Sequence, residues 1–395
     1  MSDKKFTVIG LSDSHQQWFS PEVRDIISQG HIFSGGKRHH EIVKELLPAG
    51  YLWIDIVVPL DKVWVEYAKY ESIMVFASGD PLFYGFAATL LRIFPECRMK
   101  VFPAFNSLQM LAHRILIPYA DMVNVSLTGR PWKGLDSTVI RQCSIIGVLT
   151  DHKKGPKEIA DRLLEYGYDN YTMAVGENLG NEKSELVSSL SLEEASSKTF
   201  SNPNCVILIK RDSRKRYFGI PEAEFAHLEG RKNMITKMPV RLLSLSLLEL
   251  YDKHTLWDVG FCTGSISIEA KLQFPALEVI AFERREESRE LMKENCRRFG
   301  APGITEVIGD FMECDISGYP APDAVFIGGH GGRLEEMVSR IYKVLNKGGL
   351  IVFNSVSAES CQRFRKAVES LGGAIEAEHI LTLDEHNPIT ILKAK

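Results

Sequence analysis

Short apolar runs that end at glycine or aspartate alternate with amphipathic stretches along almost the whole chain, and no other feature constrains the fold as much. A short apolar run suits a strand buried on both faces, and the amphipathic stretch after it suits a helix lying on a parallel sheet. The fold class is therefore α/β. The first half predicts strands at Phe6–Ile9, His31–Phe33, Ile73–Phe76, Lys100–Phe102 and Val123–Leu127, with a helix over Pro21–Gln29 that has Ser20 as N-cap and Pro21 at its first position. Ile145–Leu149, a helix over Gly155–Glu165, Thr172–Gly176 and Cys205–Ile209 continue the series.

The alternation breaks at Lys210-Arg211-Asp212-Ser213-Arg214-Lys215-Arg216, and the stretch Ile220 to Lys237 is polar and irregular. A charged run followed by irregular sequence suits a connection between domains. The division read from this is a first domain over 1–212, a linker over 213–234 and a second domain over 235–395. In the second, strands Leu256–Val259, Val279–Phe282, Thr305–Ile308, Ala324–Ile327 and Leu350–Phe353 alternate with helices Ser265–Leu272, Arg285–Phe299, Leu334–Leu345 and Glu359–Leu371. The tail differs: Ala377–Thr382 and Pro388–Leu392, joined by Asp384-Glu385-His386-Asn387, predict an antiparallel hairpin.

Composition narrows the function. A length of 395 residues allows two or three domains, and 47 basic against 51 acidic side chains leave a net charge of −4, so no global positive field draws nucleic acid or an anionic membrane. The seven cysteines are scattered without a Cys-x-x-Cys pair and read as reduced thiols. The densest apolar run, Leu242 to Leu250, is too short to cross a bilayer, and Met1 to Gly10 runs at once into a strand. The expectation is a cytoplasmic protein without membrane or nucleic-acid partners. His39 and His40 are adjacent, so their side chains diverge, and no metal site is expected.

In the second half, Trp257-Asp258-Val259-Gly260-Phe261-Cys262-Thr263-Gly264-Ser265 follows a strand and opens a helix. Such a turn lets a ligand approach the backbone at a helix N-terminus. Asp258 suits an ammonium group, Glu283 at the next strand end suits two ribose hydroxyls, and Asp310 after Gly309 suits an adenine amino group. Each acid alone also fits an ordinary strand-end cap. Together they fit S-adenosylmethionine.

With Ile235-Thr236-Lys237-Met238-Pro239-Val240-Arg241 and Phe326-Ile327-Gly328-Gly329-His330-Gly331-Gly332, this half resembles the C15-methylating, decarboxylating methyltransferases of cobalamin biosynthesis. The resemblance implies a class I Rossmann-like domain with a C-terminal β-hairpin, cofactor contacts from Asp258, Gly260, Thr263, Gly264, Glu283, Asp310 and Gly328, and substrate carboxylates gripped by Lys237, Arg241 and Arg333. One departure is Cys262, where the family usually has Gly; its Cβ narrows the ligand's approach.

The first half carries Val8-Ile9-Gly10, Ser34-Gly35-Gly36-Lys37-Arg38-His39, Ala77-Ser78-Gly79-Asp80-Pro81-Leu82-Phe83-Tyr84-Gly85, Ala104-Phe105-Asn106-Ser107 and Leu127-Thr128-Gly129-Arg130-Pro131. These resemble the tetrapyrrole methylases, closest to the C5-methylating precorrin enzymes. The resemblance implies two α/β subdomains, S-adenosylmethionine near Gly79, Asp80, Tyr84, Asn106 and Ser107, and Lys37, Arg38 and His39 as donors to substrate carboxylates; a solvated cationic turn explains those three equally well. The usual glycines after the first strand shrink to Gly10, followed by Leu11-Ser12-Asp13-Ser14.

Both resemblances together imply one cofactor per domain, a precorrin substrate methylated at C5 and C15 with loss of the ring C acetate carboxyl, and a homo-oligomer. Two alternatives stay open: a C15-methyltransferase whose first domain only binds tetrapyrrole, and an RNA or protein methyltransferase.

Overall fold

The computed structural model describes residues 4–14, 16–231, 234–383 and 388–395. The chain divides into two compact units: residues 1–130, 143–161 and 171–211 form the first, and residues 131–142, 162–170 and 212–395 the second.

The first unit contains two sheets of five strands each. One is wholly parallel, ordered Leu52–Asp55, Ile32–Gly35, Ser72–Ser78, Lys5–Leu11, Arg98–Phe102. The chain order reverses beside Lys5–Leu11 and Ser72–Ser78, and the carboxyl ends of such strands are where open α/β sheets bind ligands. The other sheet is mixed. Val123–Ser126 and Ile145–Leu149 pair in parallel, but Asn204–Lys210 runs antiparallel to both Ile145–Leu149 and Tyr171–Glu177, and Leu186–Leu190 closes the edge. Alternation of apolar runs predicts the strands of this unit except the edge strands Leu52–Asp55 and Leu186–Leu190, and not this reversal, because a strand buried on both faces looks the same in either direction.

In the second unit seven strands run in the order Ile304–Ile308, Glu278–Glu283, Thr255–Val259, Ala324–Ile327, Leu350–Ser355, Ile389–Ala394, Ile375–Leu381. The first five are parallel and the last two antiparallel, as the hairpin expectation required. The joining residues 384–387 lie outside those described. One face of the sheet packs Ile351, Phe353 and Val325 against helices Leu334–Tyr342 and Ala358–Ser370. The other packs Val352, Phe326 and Leu256 against helices Met238–Leu247 and Ser265–Gln273.

Residues 213–234, read from sequence as a linker, fall in the second unit and dock on it where described. Gly219 and Ile220 donate their backbone N–H groups to Glu269 at 2.7 and 3.1 Å, and Ala226 N–H donates to Asn295 at 2.8 Å. Helix Lys133–Ile140 also belongs to this unit, where Arg162 holds the buried Asp136 by two hydrogen bonds of 2.7 Å. Among the described residues no helix is long and apolar enough to cross a membrane.

Candidate functional site

A cavity of about 590 Å³ opens at the carboxyl ends of the parallel strands of the second unit. Asp258, Gly260, Thr263, Glu283, Asp310, Gly328, Lys237 and Arg333, which the sequence singles out one by one, all line it. The turn that builds its floor depends on glycine. Gly260 has φ +84°, and a Cβ there would lie 2.8 Å from Gly329 N, so the backbones of the two glycine-rich turns pass in contact. Gly329 itself has no neighbour within 4 Å of where its Cβ would be.

Asp258 is fully buried at the end of its strand. Its Oδ2 accepts from Ser267 Oγ at 2.6 Å and Ser267 N–H at 3.2 Å, while its Oδ1 has no partner. Burial raises its pKa to about 7; the Ser267 hydrogen bonds oppose the shift and the Glu283 charge adds to it. Thr263 Oγ1 is a second buried oxygen without a partner. A buried acid oxygen and a buried hydroxyl left unpaired beside a cavity fit a bound ammonium group, because folding alone gains nothing from leaving them so.

Glu283 is held differently. Its carboxylate accepts the N–H groups of Arg284, Arg285 and Cys262 at 2.9–3.1 Å and pairs with the Arg285 guanidinium at 3.0 Å. Asp310 accepts from Met312 N–H at 2.9 Å through Oδ1. Cys262 adopts φ +49°, a left-handed conformation that suits Gly, and its thiol donates to Met234 O at 3.1 Å. Burial pushes that thiol up to about 11, so it stays protonated.

Two predicted contacts need correction. Arg241 is fully buried; it pairs with the equally buried Glu269 at 3.2 Å and donates to the carbonyls of Thr236 and Ile220. It is a structural tie and does not line the cavity. Gly264 does not line the cavity, and a Cβ there would collide with Met292 Sδ, so the lack of a side chain lets helix Ser265–Gln273 pack on helix Glu287–Phe299. Arg333 does line the cavity but is engaged by Glu336 at 2.7 Å and Glu313 at 3.2 Å, both exposed pairs.

Further polar residues that line the cavity include Arg285, His330 and Asn354, to which sequence reasoning assigns no role. Arg285 directly follows the Glu283 it binds. His330 fills the variable place of the Gly-Gly-x-Gly-Gly run and accepts from Gly332 N–H at 3.2 Å; burial lowers its pKa, with Arg363 adding to the effect. Asn354 ends an apolar strand, a change of polarity visible in sequence.

In the first unit the predicted residues gather at the carboxyl ends of Lys5–Leu11 and Ser72–Ser78. Backbones meet here as well: a Cβ on Gly10 would lie 2.1 Å from Gly79 O, and one on Gly79 would lie 2.9 Å from Asn106 Cα. Asn106 caps helix Ser107–Arg114 by accepting from Gln109 N–H at 2.9 Å, so its side chain serves the helix and its backbone faces the Gly79 turn. Asp80 accepts from Leu82 N–H at 2.9 Å. Tyr84, at φ +53°, donates to Asn124 O at 3.0 Å and carries the Arg130 guanidinium 4.8 Å from its ring centre.

Lys37, Arg38 and His39 form the first turn of helix Lys37–Val43, not an open loop. Lys37 is exposed. Arg38 pairs with Asp13 at 3.2 Å and donates to Ser78 Oγ at 3.2 Å. His39 Nδ1 accepts from Gly36 N–H at 3.3 Å, which puts its proton on Nε2, 2.9 Å from Ser78 Oγ. Burial, helped by Arg38, lowers the His39 pKa to about 4, so it is a neutral hydrogen-bond donor and not the cation that sequence suggested. Ser78 Oγ thus accepts twice. His40 points elsewhere, stacking on Trp53 with 4.2 Å between ring centres.

Comparisons with known proteins now bear on the whole chain. Residues 5–195 match the model for tetrapyrrole (corrin/porphyrin) methylases, and residues 227–392 match that for the precorrin methyltransferase domain. A precorrin-6Y C(5,15)-methyltransferase (decarboxylating) from Sinorhizobium sp is 29% identical over 356 residues, covering 89% of this chain and 85% of that protein. A cobalt-precorrin-6B C(15)-methyltransferase (decarboxylating) from Salmonella typhimurium is 41% identical over 133 residues, 34% of this chain and 68% of that protein. The chain belongs to the decarboxylating precorrin C5,15-methyltransferase family. A separate Salmonella typhimurium protein, a cobalt-precorrin-7 C(5)-methyltransferase, is 29% identical over 177 residues, 45% of this chain and 86% of that protein. What the family joins in one chain, these Salmonella relatives carry as two.

Proposed function

We propose that this enzyme is an S-adenosylmethionine-dependent C-methyltransferase that methylates precorrin-6B, or its cobalt form, at C5 through its first unit and at C15 through its second, with removal of the ring C acetate carboxyl. Each unit takes its own cofactor. When bound, that cofactor supplies a methyl group already activated on a sulfonium centre. The protein's share is to align the macrocycle carbon and to exclude water.

In the second unit Asp258 takes the ammonium, Glu283 the ribose hydroxyls and Asp310 the adenine amino group, while Gly260 and Gly328 let the ligand reach the backbone. Thr263 Oγ1 adds a buried hydroxyl at the same end, and Lys237 and Arg333 meet the peripheral carboxylates of the macrocycle. In the first unit the Gly79, Asp80, Asn106 and Ser107 backbone forms the cofactor turn, and Arg38 with Ser78 donates to an anionic group.

The observation that supports this reading best is the buried Asp258 oxygen without a partner in a cavity that all three strand-end acids line. The test is mass spectrometry of the product made by the full chain, with calorimetry to count cofactors. Two methyl gains, one carbon dioxide loss and two cofactors per chain are expected. A single cofactor with methylation at C15 alone would reduce the first unit to a tetrapyrrole carrier. A cytoplasmic homo-oligomer completes the proposal, by analogy with related domains.

A further inference from the structure

We propose that Asn354 binds and orients the acetate carboxylate that the second unit removes, an inference that rests on the function proposed above. Asn354 lies two residues beyond Val352 on strand Leu350–Ser355 and therefore on the same face, the one covered by helix Met238–Leu247. Ser244 Oγ of that helix reaches Asn354 Oδ1 at 3.0 Å. Asn354 Nδ2 is buried and has no partner, although the residue lines the cavity. An amide between a sheet and a helix whose contacts are otherwise apolar does nothing for the fold that leucine would not do better.

The surroundings say what it would meet. Val356 stands two residues on in sequence, Ile389 and Leu381 are paired on the adjoining hairpin, and all three line the cavity with Leu383. The sheet order places Asp258, Glu283 and Asp310 at one side of the cavity and Asn354 with these apolar side chains at the other. One side thus suits a charged nucleoside, and the other an apolar macrocycle edge carrying one polar group.

The decarboxylation step explains why that group is held by a neutral amide. The carbon–carbon bond to the carboxyl group breaks, its electron pair passes into the electron-poor C15-methylated macrocycle, carbon dioxide leaves, and the exocyclic carbon takes one proton from water. Charge leaves the carboxylate as the bond breaks, so a guanidinium or ammonium partner would stabilise the ground state more than the transition state. A single amide among apolar side chains fixes direction with less of that penalty.

The test compares the full chain with its Asn354→Leu variant, using precorrin-6B and S-adenosylmethionine and following methyl gain and carbon dioxide release separately. Ser244 keeps Val240 O as an acceptor at 2.8 Å, so the leucine strands no polar group and the melting temperature should hold or rise. The expected result is C15 methylation within about threefold of wild type, carbon dioxide release slowed about 10- to 100-fold, the methylated but still carboxylated product accumulating, and unchanged cofactor affinity. A parallel fall in both reactions, or no change in either, overturns the assignment. Asn354→Asp should raise the KM for the macrocycle by repulsion, and an unchanged KM also overturns it. A wild-type chain that transfers no methyl group to C15 refutes the underlying function, which separates the two failures.

Discussion

The raised pKa of Asp258 makes cofactor binding depend on pH in a direction that can be worked out beforehand. The carboxyl is fully buried, and burial moves it from 3.8 to about 7. Only the ionised form attracts an ammonium group, so the free protein must lose a proton before or during binding. At pH 6 about nine-tenths of the sites would be protonated, and the dissociation constant should be roughly tenfold weaker than at pH 8, falling as pH rises and levelling off above about 7. Calorimetry in two buffers of different ionisation enthalpy reads the same event: nearly one proton released per second-unit site at pH 6 and nearly none at pH 8. Stability follows with its own sign. Because the folded pKa lies above the unfolded one, the native state binds the extra proton between these values; this carboxyl's contribution to stability is greatest below about 4 and falls as pH rises from about 4 to about 7, by roughly 4 kcal/mol for a shift of this size. An Asp258→Asn variant escapes that loss, so its stability relative to wild type should increase from pH 5 to pH 8 while its cofactor affinity drops. Cofactor affinity that is flat from pH 6 to pH 8, with no proton release, would refute the role given to Asp258.

Other residues carry their own tests. Arg241→Ala leaves Glu269 buried without its cation and should destabilise the second unit by about 3–5 kcal/mol in chemical denaturation, an effect that a substrate-gripping arginine would not have. Arg333→Ala breaks only exposed pairs with Glu336 and Glu313 and should leave stability essentially unchanged; it should raise the KM for the macrocycle and leave cofactor affinity alone. Because His39 stays neutral down to about pH 4, His39→Gln should leave the pH profile of C5 methylation between 5 and 8 unchanged, as measured by product formation; the loss of a step near pH 6.5 on substitution would show that the imidazole titrates there after all.

The sequence revealed the architecture where a feature is local and repeated. Strand-end acids at Asp258, Glu283 and Asp310 were legible because a parallel sheet delivers successive strand ends to one edge, so three separate positions could be joined without knowing any distance. The glycines at 79 and 260 were legible for a similar reason: the close approach they permit is a property of the turn that holds them. Burial set by distant partners was not legible. Arg241 reads as a surface cation beside the Lys237 turn, and only the position of Glu269, 28 residues on, shows that its charge is consumed inside. Gly264 reads as part of the ligand turn because spacing cannot say which side of a helix N-terminus faces Met292. The antiparallel direction of strand Asn204–Lys210 is not legible for want of any directional signal in an apolar run, and the stretch 213–234 reads as a linker because irregular sequence looks the same whether it hangs free or docks through backbone hydrogen bonds.

Cys262 shows how such a turn can hold a side chain at a place that favours glycine. Holding a non-glycine residue at φ +49° costs about 1–2 kcal/mol; of its two contacts, its N–H donates to Glu283 as any residue's would, and its thiol donates to Met234 O, which offsets part of that cost. The first contact orients the carboxylate assigned to the ribose, and the second ties the turn to the segment that precedes helix Met238–Leu247. The side chain that sequence suggested would only narrow the ligand's approach therefore also fastens one wall of the cavity to its floor. Glycine at this place would relieve the backbone strain, keep the N–H to Glu283 and lose the tie to Met234. The backbone strain at Cys262 is thus coupled to a tie on the wall where Ile235, Thr236 and Lys237 line the cavity.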